Sequence, residues 1–161
     1  MLCRKKFKKN EVAKFKNVIE QEYRVHWTLD SLPVFVRSSE QGFITRGYPV
    51  GFQVPIPGES KKRNHYLFNH VRIIVRHHDD ATGEEYTGSR IVGFEVIPMS
   101  IKHAYDATVP FDTKTVKLHT CGGAVPAANK DGTSNFQPIE ADGEEVIFTY
   151  DVKFEESELV W

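Results

Sequence analysis

The chain has 161 residues, a formal net charge of −1 and 40% hydrophobic residues. This length suits one domain that buries roughly two thirds of the surface its unfolded chain exposes. The near-zero net charge gives no reason to expect a nucleic acid as a partner. No apolar run approaches the roughly 20 residues of a membrane-spanning helix, and the basic N-terminus lacks the apolar stretch of a signal peptide. The sequence alone therefore predicts a soluble chain without a targeting signal.

One helix is predicted, near the N-terminus. Asn10 is a suitable N-cap residue, and Glu11 suits the positive end of the helix dipole. Apolar side chains follow at the spacing of one helix face: Val12, Phe15, Ile19 and Tyr23. We therefore expect an amphipathic helix over residues 11–22.

Beyond the helix the chain is predicted to be built from strands. Apolar residues recur every second position, and the predicted strands are 25–29, 32–36, 51–54, 66–76, 90–98, 116–118 and 145–154. Stretches rich in Gly, Pro, Asn or Asp are predicted as loops: 37–64 around its one short strand, 77–83 and 122–142. This order predicts a single mostly β domain over 1–161, an antiparallel β-sandwich or open barrel with one short N-terminal helix.

The last predicted strand has the clearest pattern. Charged or polar residues alternate there with five apolar ones, an order interrupted only by Ile147: Val146, Phe148, Tyr150, Val152 and Phe154. Such alternation is typical of a half-buried strand. We therefore expect the apolar face to meet the core and the other face to meet water.

A histidine-rich stretch, His77-His78-Asp79-Asp80, is the first candidate for chemistry. Neighbouring strand residues point to opposite faces, so the two imidazoles converge on a metal only if a turn reorients them. No spaced His or Cys residues complete a zinc motif elsewhere in the sequence. We interpret the stretch as a polar loop at a strand end.

His119 and Cys121 are the second candidate, because residues two apart share one strand face. A thiolate nucleophile needs an oriented base, and the sequence places no carboxylate to orient one. A hydrolase that uses Cys121 or the His77/His78 pair stays an alternative, although the sequence contains no known catalytic motif. We expect a protein that is not an enzyme, with no catalytic, cofactor-binding or metal-binding residues and no cofactor.

Five stretches of the chain form a recognisable ordered set. They are YRVHWTLDSLP at 23–33, GYPVG at 47–51, NHV at 69–71, RIVGFEVIP at 90–98 with KH at 102–103, and the strand region 145–156. In this order they resemble the nonaspanins, the transmembrane 9 superfamily. Five ordered matches are far more specific than one short motif.

The resemblance implies a lumenal N-terminal domain, which in nonaspanins follows a signal peptide and precedes nine membrane helices. The family resides in Golgi and endosomal membranes. It is associated with sorting and surface delivery of membrane proteins, notably those with glycine-rich transmembrane segments, and with adhesion and phagocytosis in amoebae. It has no established catalytic residues. Because the signal peptide and membrane helices are missing here, we expect a fragment, a truncated paralogue or an incomplete gene model, truncated at both ends.

The resemblance also implies the partners: membrane-protein cargo or the rest of a nonaspanin chain. We expect the contact surface in the Gly/Pro-rich segment 37–64, and name Tyr48, Phe52 and Tyr66 as candidate surface residues. The alternative function is a carbohydrate-directed β-sandwich in which these aromatic rings are exposed and stack on a sugar.

A disulfide is a further expectation from lumenal placement. Cys3 and Cys121 are the only two cysteines in the sequence. In an oxidising compartment they pair with each other or with cysteines missing upstream. Sequence alone leaves both options open.

Overall fold

The computed structural model describes residues 3–37, 42–80, 88–104, 118, 120 and 135–159. Within these residues the chain forms one helix, α1 (Lys9–Glu20). The strands are β1 Cys3–Lys6, β2 Arg24–Val25, β3 Thr28–Leu29, β4 Leu32–Pro33, β5 Phe35–Arg37, β6 Ile44–Arg46, β7 Tyr48–Pro49, β8 Gly51–Ile56, β9 Glu59–Leu67, β10 His70–Asp80, β11 Gly88–Met99 and β12 Glu145–Glu156.

Helix α1 begins earlier than predicted. Its N-cap residue is Lys8 instead of Asn10. The carboxylate of Glu11 accepts a hydrogen bond from the backbone nitrogen of Lys8 at 3.0 Å and another from Lys5 Nζ at 2.7 Å. An acidic residue in the third helical position that reaches back to the N-cap amide is half of a capping box, which fixes the start of the helix.

Six strands pair in the order β1-β12-β10-β11-β5-β6, and three two-stranded sheets pair β2 with β7, β3 with β4 and β8 with β9. Strand β1 runs antiparallel to β12, with Cys3 opposite Phe148. Strand β5 runs parallel to β11. The predicted mostly β chain with one N-terminal helix is confirmed, but the six-stranded sheet is mixed instead of purely antiparallel, and the described strands form no closed barrel.

The segment predicted as a loop, 37–64, contains most of four strands, β6 to β9. Gly51 is the first residue of β8, whereas the other glycines of the segment lie between strands. Gly42, Gly47 and Gly58 adopt positive φ angles of 67°, 69° and 83°, which glycine reaches without steric cost. The prediction of a long loop was therefore wrong. Turn residues occur at the ends of short strands as well as in irregular segments.

The predicted strand 66–76 is interrupted after Leu67, where β9 ends and β10 begins at His70. The interruption contains Asn69, whose side chain is almost fully buried. Its Nδ2 donates to the carbonyl oxygens of Ile101 and Ile147, each at 2.8 Å, and its Oδ1 accepts from the backbone nitrogen of Ile101 at 2.8 Å. The amide therefore replaces the strand ladder at this point and leaves no polar atom unsatisfied.

The residue contacts divide the chain into two compact units. Unit 1 comprises Met1–Tyr23, Pro49–His70 and Met99–Thr149; unit 2 comprises Arg24–Tyr48, Val71–Pro98 and Tyr150–Trp161. Whether the chain is a single domain, as predicted, stays a prediction.

Unit 1 has a core in which α1 packs on the β8–β9 hairpin and the first part of β12. The buried members of this core are Phe7, Val12, Ile19, Leu67, Ile139 and Val146. Gly51 makes the close approach possible, because a Cβ there would overlap the carbonyl oxygen of Tyr66 and lie 2.9 Å from Ile19 Cδ1.

Unit 2 has its own core, covered by the short strands between residues 24 and 48. Its buried members are Val34, Tyr48, Val71, Phe94 and Val96. Asp30 and Ser31 connect β3 to β4 with φ angles of 48° and 66°. Two consecutive positive φ angles are typical of a tight hairpin turn.

Candidate interaction surface

The second part of β12, in unit 2, exposes apolar side chains to solvent. Tyr150, Val152 and Phe154 are 48%, 44% and 68% exposed. They alternate along the strand and therefore share one face of the sheet. The prediction that this face meets the core is wrong from Tyr150 onward, since no described part of the chain covers it.

Val152 and Phe154 belong to an apolar groove with a volume of about 420 Å³. The groove is lined by the side chains of Trp27, Thr28, Leu29, Ile73, Val75, Ile91, Phe94, Val152 and Phe154. Thr28 supplies the only polar side chain in this lining. Exposed apolar patches on soluble domains mark sites of contact with proteins, membranes or ligands.

The opposite face of β12 forms several ion pairs. Arg72 Nε lies 3.0 Å from Asp151 Oδ1, and Arg72 Nη2 lies 3.0 Å from Oδ2. These hydrogen bonds to Asp151 raise the pKa of Arg72. Arg76 contacts Glu95 at 2.7 Å and Glu155 at 3.4 Å. The charged side chains of this face are therefore paired with one another, whereas the apolar side chains on the other face of the same strand are exposed to solvent.

The groove adjoins the hydrophobic core of unit 2. Phe94 is buried in that core and also lines the groove. Trp27 stands at the rim, where its ring meets the ring of Tyr48 edge-on at 5.2 Å between centroids. Burial raises the pKa of Tyr48 to about 12, so its hydroxyl stays protonated at physiological pH. A rigid wall lowers the entropy cost of binding a partner.

A second, polar pocket of about 330 Å³ lies in unit 1 around His65. The His65 side chain is almost fully buried between two carboxylates, with Nδ1 2.9 Å from Glu140 Oε1 and Nε2 3.0 Å from Glu20 Oε1. Glu140 also accepts a hydrogen bond from the His65 backbone nitrogen at 2.5 Å and pairs with Lys16.

Burial alone would raise the pKa of Glu140, but its hydrogen bonds with Lys16 and His65 outweigh this effect and lower the pKa. The Glu140 carboxylate is therefore ionised at neutral pH. The cluster joins α1, β9 and the residues before β12, so its chemistry is that of a structural ion-pair network.

A pair of histidines forms a third polar group, also in unit 1. His70 Nδ1 and His103 Nε2 lie 2.6 Å and 2.9 Å from the hydroxyl oxygen of Thr149, and His103 Nδ1 lies 2.7 Å from Thr120 Oγ1. Burial, assisted by the charge of His70, lowers the pKa of His103 to about 4. His103 is therefore mostly neutral at neutral pH.

Comparison with known proteins decides the family. The family model for endomembrane protein 70 matches residues 1–161. The chain belongs to the endomembrane protein 70 family. The nonaspanin resemblance read from the five sequence stretches is thereby confirmed.

Curated relatives carry transmembrane 9 superfamily names. The chain is 37% identical to transmembrane 9 superfamily member 10 of Arabidopsis thaliana, over 99% of this chain and 24% of that protein. It is 39% identical to member 8 of Arabidopsis thaliana, over 91% of this chain and 22% of that protein. It is 29% identical to member 2 of Mus musculus, over 83% of this chain and 19% of that protein. The chain thus spans about a quarter of the length of these relatives or less. No solved structure matches it significantly.

Among the described residues of this family member, no helix is long and apolar enough to cross a bilayer. Likewise, no group of three or more His, Cys, Asp or Glu side chains within the described ranges is arranged to hold a metal ion.

The three predicted surface aromatics lie in different environments. Tyr48 and Tyr66 are 6% and 7% exposed, so the expectation that their rings are exposed is wrong. Phe52 is half-buried and stacks on Tyr66 at 5.3 Å between centroids. Phe68 and Phe136 complete this aromatic cluster. A role of these residues in protein or carbohydrate contact stays a prediction.

His77 and His78 lie within strand β10, so the predicted loop at 77–83 is wrong for its first four residues. His77 Nδ1 is 3.1 Å from Asp79 Oδ1, whereas His78 Nδ1 is 2.8 Å from the carbonyl oxygen of Ser157. The two rings therefore have separate partners, which agrees with the alternation expected of neighbouring strand residues.

The cysteine predictions are untested. Cys3 is exposed at the start of β1. Cys121 and His119 lie outside the described residues, so the disulfide and the thiol-based site stay predictions.

Sequence reasoning missed the groove itself. The alternation in β12 identified Val152 and Phe154 as a shared apolar face but assigned that face to the core. Trp27 was placed only in a strand. The available signal was the group of acidic residues at the end of the strand, Glu155, Glu156 and Glu158, because such a group is unusual beside a buried face.

Proposed function

We propose that the chain is a non-catalytic, lumenal domain of an endomembrane protein that takes part in sorting membrane proteins in the Golgi and endosomes. Its relatives are named as transmembrane proteins, and this chain corresponds to a small part of their length. The observation that carries the proposal is the apolar groove of unit 2, which suits contact with another protein.

The groove has the composition of an interface core. Its lining is apolar and includes Trp27 and Phe154, aromatic residues of the kind that supply most of the binding energy in protein contacts. The partner on this account is membrane-protein cargo. The family relationship supports the compartment, and the groove supports the binding role.

A complementation experiment tests the proposal. The gene that encodes the natural protein is deleted, and surface and internal membrane proteins are quantified by mass spectrometry of separated fractions. We expect a set of membrane proteins to leave the surface, and wild-type protein to restore them. A Phe154→Asp variant is expected to fail, because a carboxylate in the groove opposes an apolar contact.

Phe43→Asp is the matched control. Phe43 lies outside the groove lining and is 66% exposed, against 68% for Phe154. This variant is expected to restore delivery as wild type does. Unchanged membrane-protein location after deletion, or full rescue by Phe154→Asp, contradicts the proposal.

The lumenal side is tested separately by protease protection. In sealed Golgi and endosomal vesicles, an epitope in the chain is expected to resist protease until detergent is added. Digestion without detergent contradicts lumenal placement.

A further inference from the structure

We infer that the groove of unit 2 binds an amphipathic peptide segment with apolar residues at its centre and a Lys or Arg at one end. The inference rests on the proposed function only for the source of that segment, a partner membrane protein. The chemistry of the segment is argued from the groove and its rim.

The openness of the groove favours a peptide over a small molecule. Trp27, Val152 and Phe154 are 39%, 44% and 68% exposed, although all three line the groove. A small ligand there would remain largely in water, whereas sites for small molecules usually enclose most of the ligand. A peptide brings enough apolar surface to cover all three side chains at once.

Two exposed acidic residues, called the acidic rim, follow the groove residue Phe154 along the chain. Glu156 lies on the same face of β12 as Val152 and Phe154, because strand residues two apart share a face, and it is exposed. Glu158 follows and is also exposed. Arg90 precedes the groove residue Ile91, but it already takes part in an interaction of its own. A cationic group on the partner therefore has a complementary site beside the apolar one.

The negative charge of these glutamates also argues against a membrane surface as the binding partner of the groove. Segments that lie on a bilayer combine an apolar face with Lys and Arg residues, which anionic lipid headgroups attract. Here the polar neighbours of the exposed apolar face include Glu156 and Glu158, which those headgroups repel. A peptide with a basic end fits both the apolar lining and the acidic rim.

Panning a display library of random 12-residue peptides against the purified chain tests this inference. Enriched peptides are expected to share apolar residues next to a terminal Lys or Arg. Parallel panning against Phe154→Asp is expected to lose them, and panning against Phe43→Asp to recover them. Circular dichroism and a thermal melt of each variant establish that it is folded.

The contribution of the Glu156 charge to binding is tested separately. With Glu156→Lys as bait, the enriched peptides are expected to lose their preference for a terminal Lys or Arg. For one enriched peptide, Phe154→Asp should weaken binding by about tenfold or more, and Glu156→Lys by about two- to fivefold. Phe43→Asp should leave its Kd unchanged.

Three results overturn the inference: no enrichment against the wild-type chain, the same peptides from Phe154→Asp, or no change of terminal charge with Glu156→Lys. Binding to phosphatidylcholine/phosphatidylserine vesicles that Phe154→Asp abolishes would instead assign the groove to a lipid surface. Failure of this inference can be distinguished from failure of the proposed sorting function. Peptide capture with full cellular rescue by Phe154→Asp removes the sorting proposal alone, whereas failed rescue without peptide capture removes this inference alone.

Discussion

Two parts of strand β12 carry the same alternation of apolar and polar residues and lie in opposite environments. In the part up to Thr149, Val146 and Ile147 are buried, and Thr149, on the predicted solvent face, is buried as well. In the part from Tyr150 onward, Val152 and Phe154 are exposed. Alternation therefore predicts which side chains share a face, but a second element must be present for that face to be buried.

The buried part of β12 depends on Asn69, and its replacement is expected to have the largest effect. Asn69→Ala removes three side-chain hydrogen bonds and leaves buried backbone groups of Ile101 and Ile147 without their partners. Each unsatisfied group costs about 1–3 kcal/mol, so the free energy of unfolding should fall by about 3 kcal/mol or more. Urea denaturation measures it. Asn17→Ala, at an exposed helix position, is the control and should change stability by less than about 0.5 kcal/mol.

The same residue type tests the two parts of β12 directly. Val146→Ala removes buried methyl groups from the core of unit 1 and should lower the free energy of unfolding by about 2 kcal/mol. Val152→Ala removes the same atoms from an open surface and should change it by less than about 0.5 kcal/mol. Equal losses in chemical denaturation would mean that the two parts are equally covered.

Acid should weaken unit 1 through His103, which contacts Thr149 at the end of the buried part. The pKa of His103 is about 4 in the folded chain, against about 6.5 for an unperturbed histidine. Between these values the unfolded chain binds the proton more readily, so the free energy of unfolding falls as the pH drops through this window. Partial exposure limits this loss to about 1–2 kcal/mol.

The measurement is urea denaturation at about pH 7 and about pH 4.5, compared with His103→Gln. The wild-type chain should lose more stability between the two values than the variant, because the variant lacks this proton-binding group. An equal loss in both proteins would assign the acid sensitivity to other groups.

A small effect is expected at Phe154. Phe154→Asp should lower the free energy of unfolding by no more than about 1 kcal/mol, because the ring is mainly in solvent and the change costs only strand propensity. Phe43→Asp, outside the strands, should stay within about 0.5 kcal/mol of wild type. Thermal melts of the two variants measure this. A large loss for Phe154→Asp alone would show that the groove face is part of the core after all.

Periodicity predicted much of the fold. The helix and the final strand follow from local pattern, because capping and alternation are properties of neighbouring residues. The observed N-cap is Lys8 instead of the predicted Asn10, because the Glu11 carboxylate accepts a hydrogen bond from the Lys8 backbone nitrogen. The parallel pairing of β5 with β11 was beyond sequence reasoning, since it joins residues far apart in the chain.

The candidate site was less accessible to sequence reasoning. Tyr48 occurs in the stretch rich in Gly and Pro, and Tyr66 begins a predicted strand, but each ring packs on an aromatic partner. The groove joins Trp27 with Val152 and Phe154, and only the tertiary structure brings these residues together. The family motifs identified the protein class but assigned no residue to a binding role.

Hydroxyl-radical footprinting of Phe154 and Phe43 tests whether the open face of β12 is a binding surface. The two rings are 68% and 66% exposed, so their labelling should be nearly equal in the purified protein. In membranes of the proposed compartments, the Golgi and endosomes, a bound partner should lower the labelling of Phe154 several-fold relative to Phe43. An unchanged ratio between the purified protein and the membranes would contradict the claim that the open face of β12 is a binding surface.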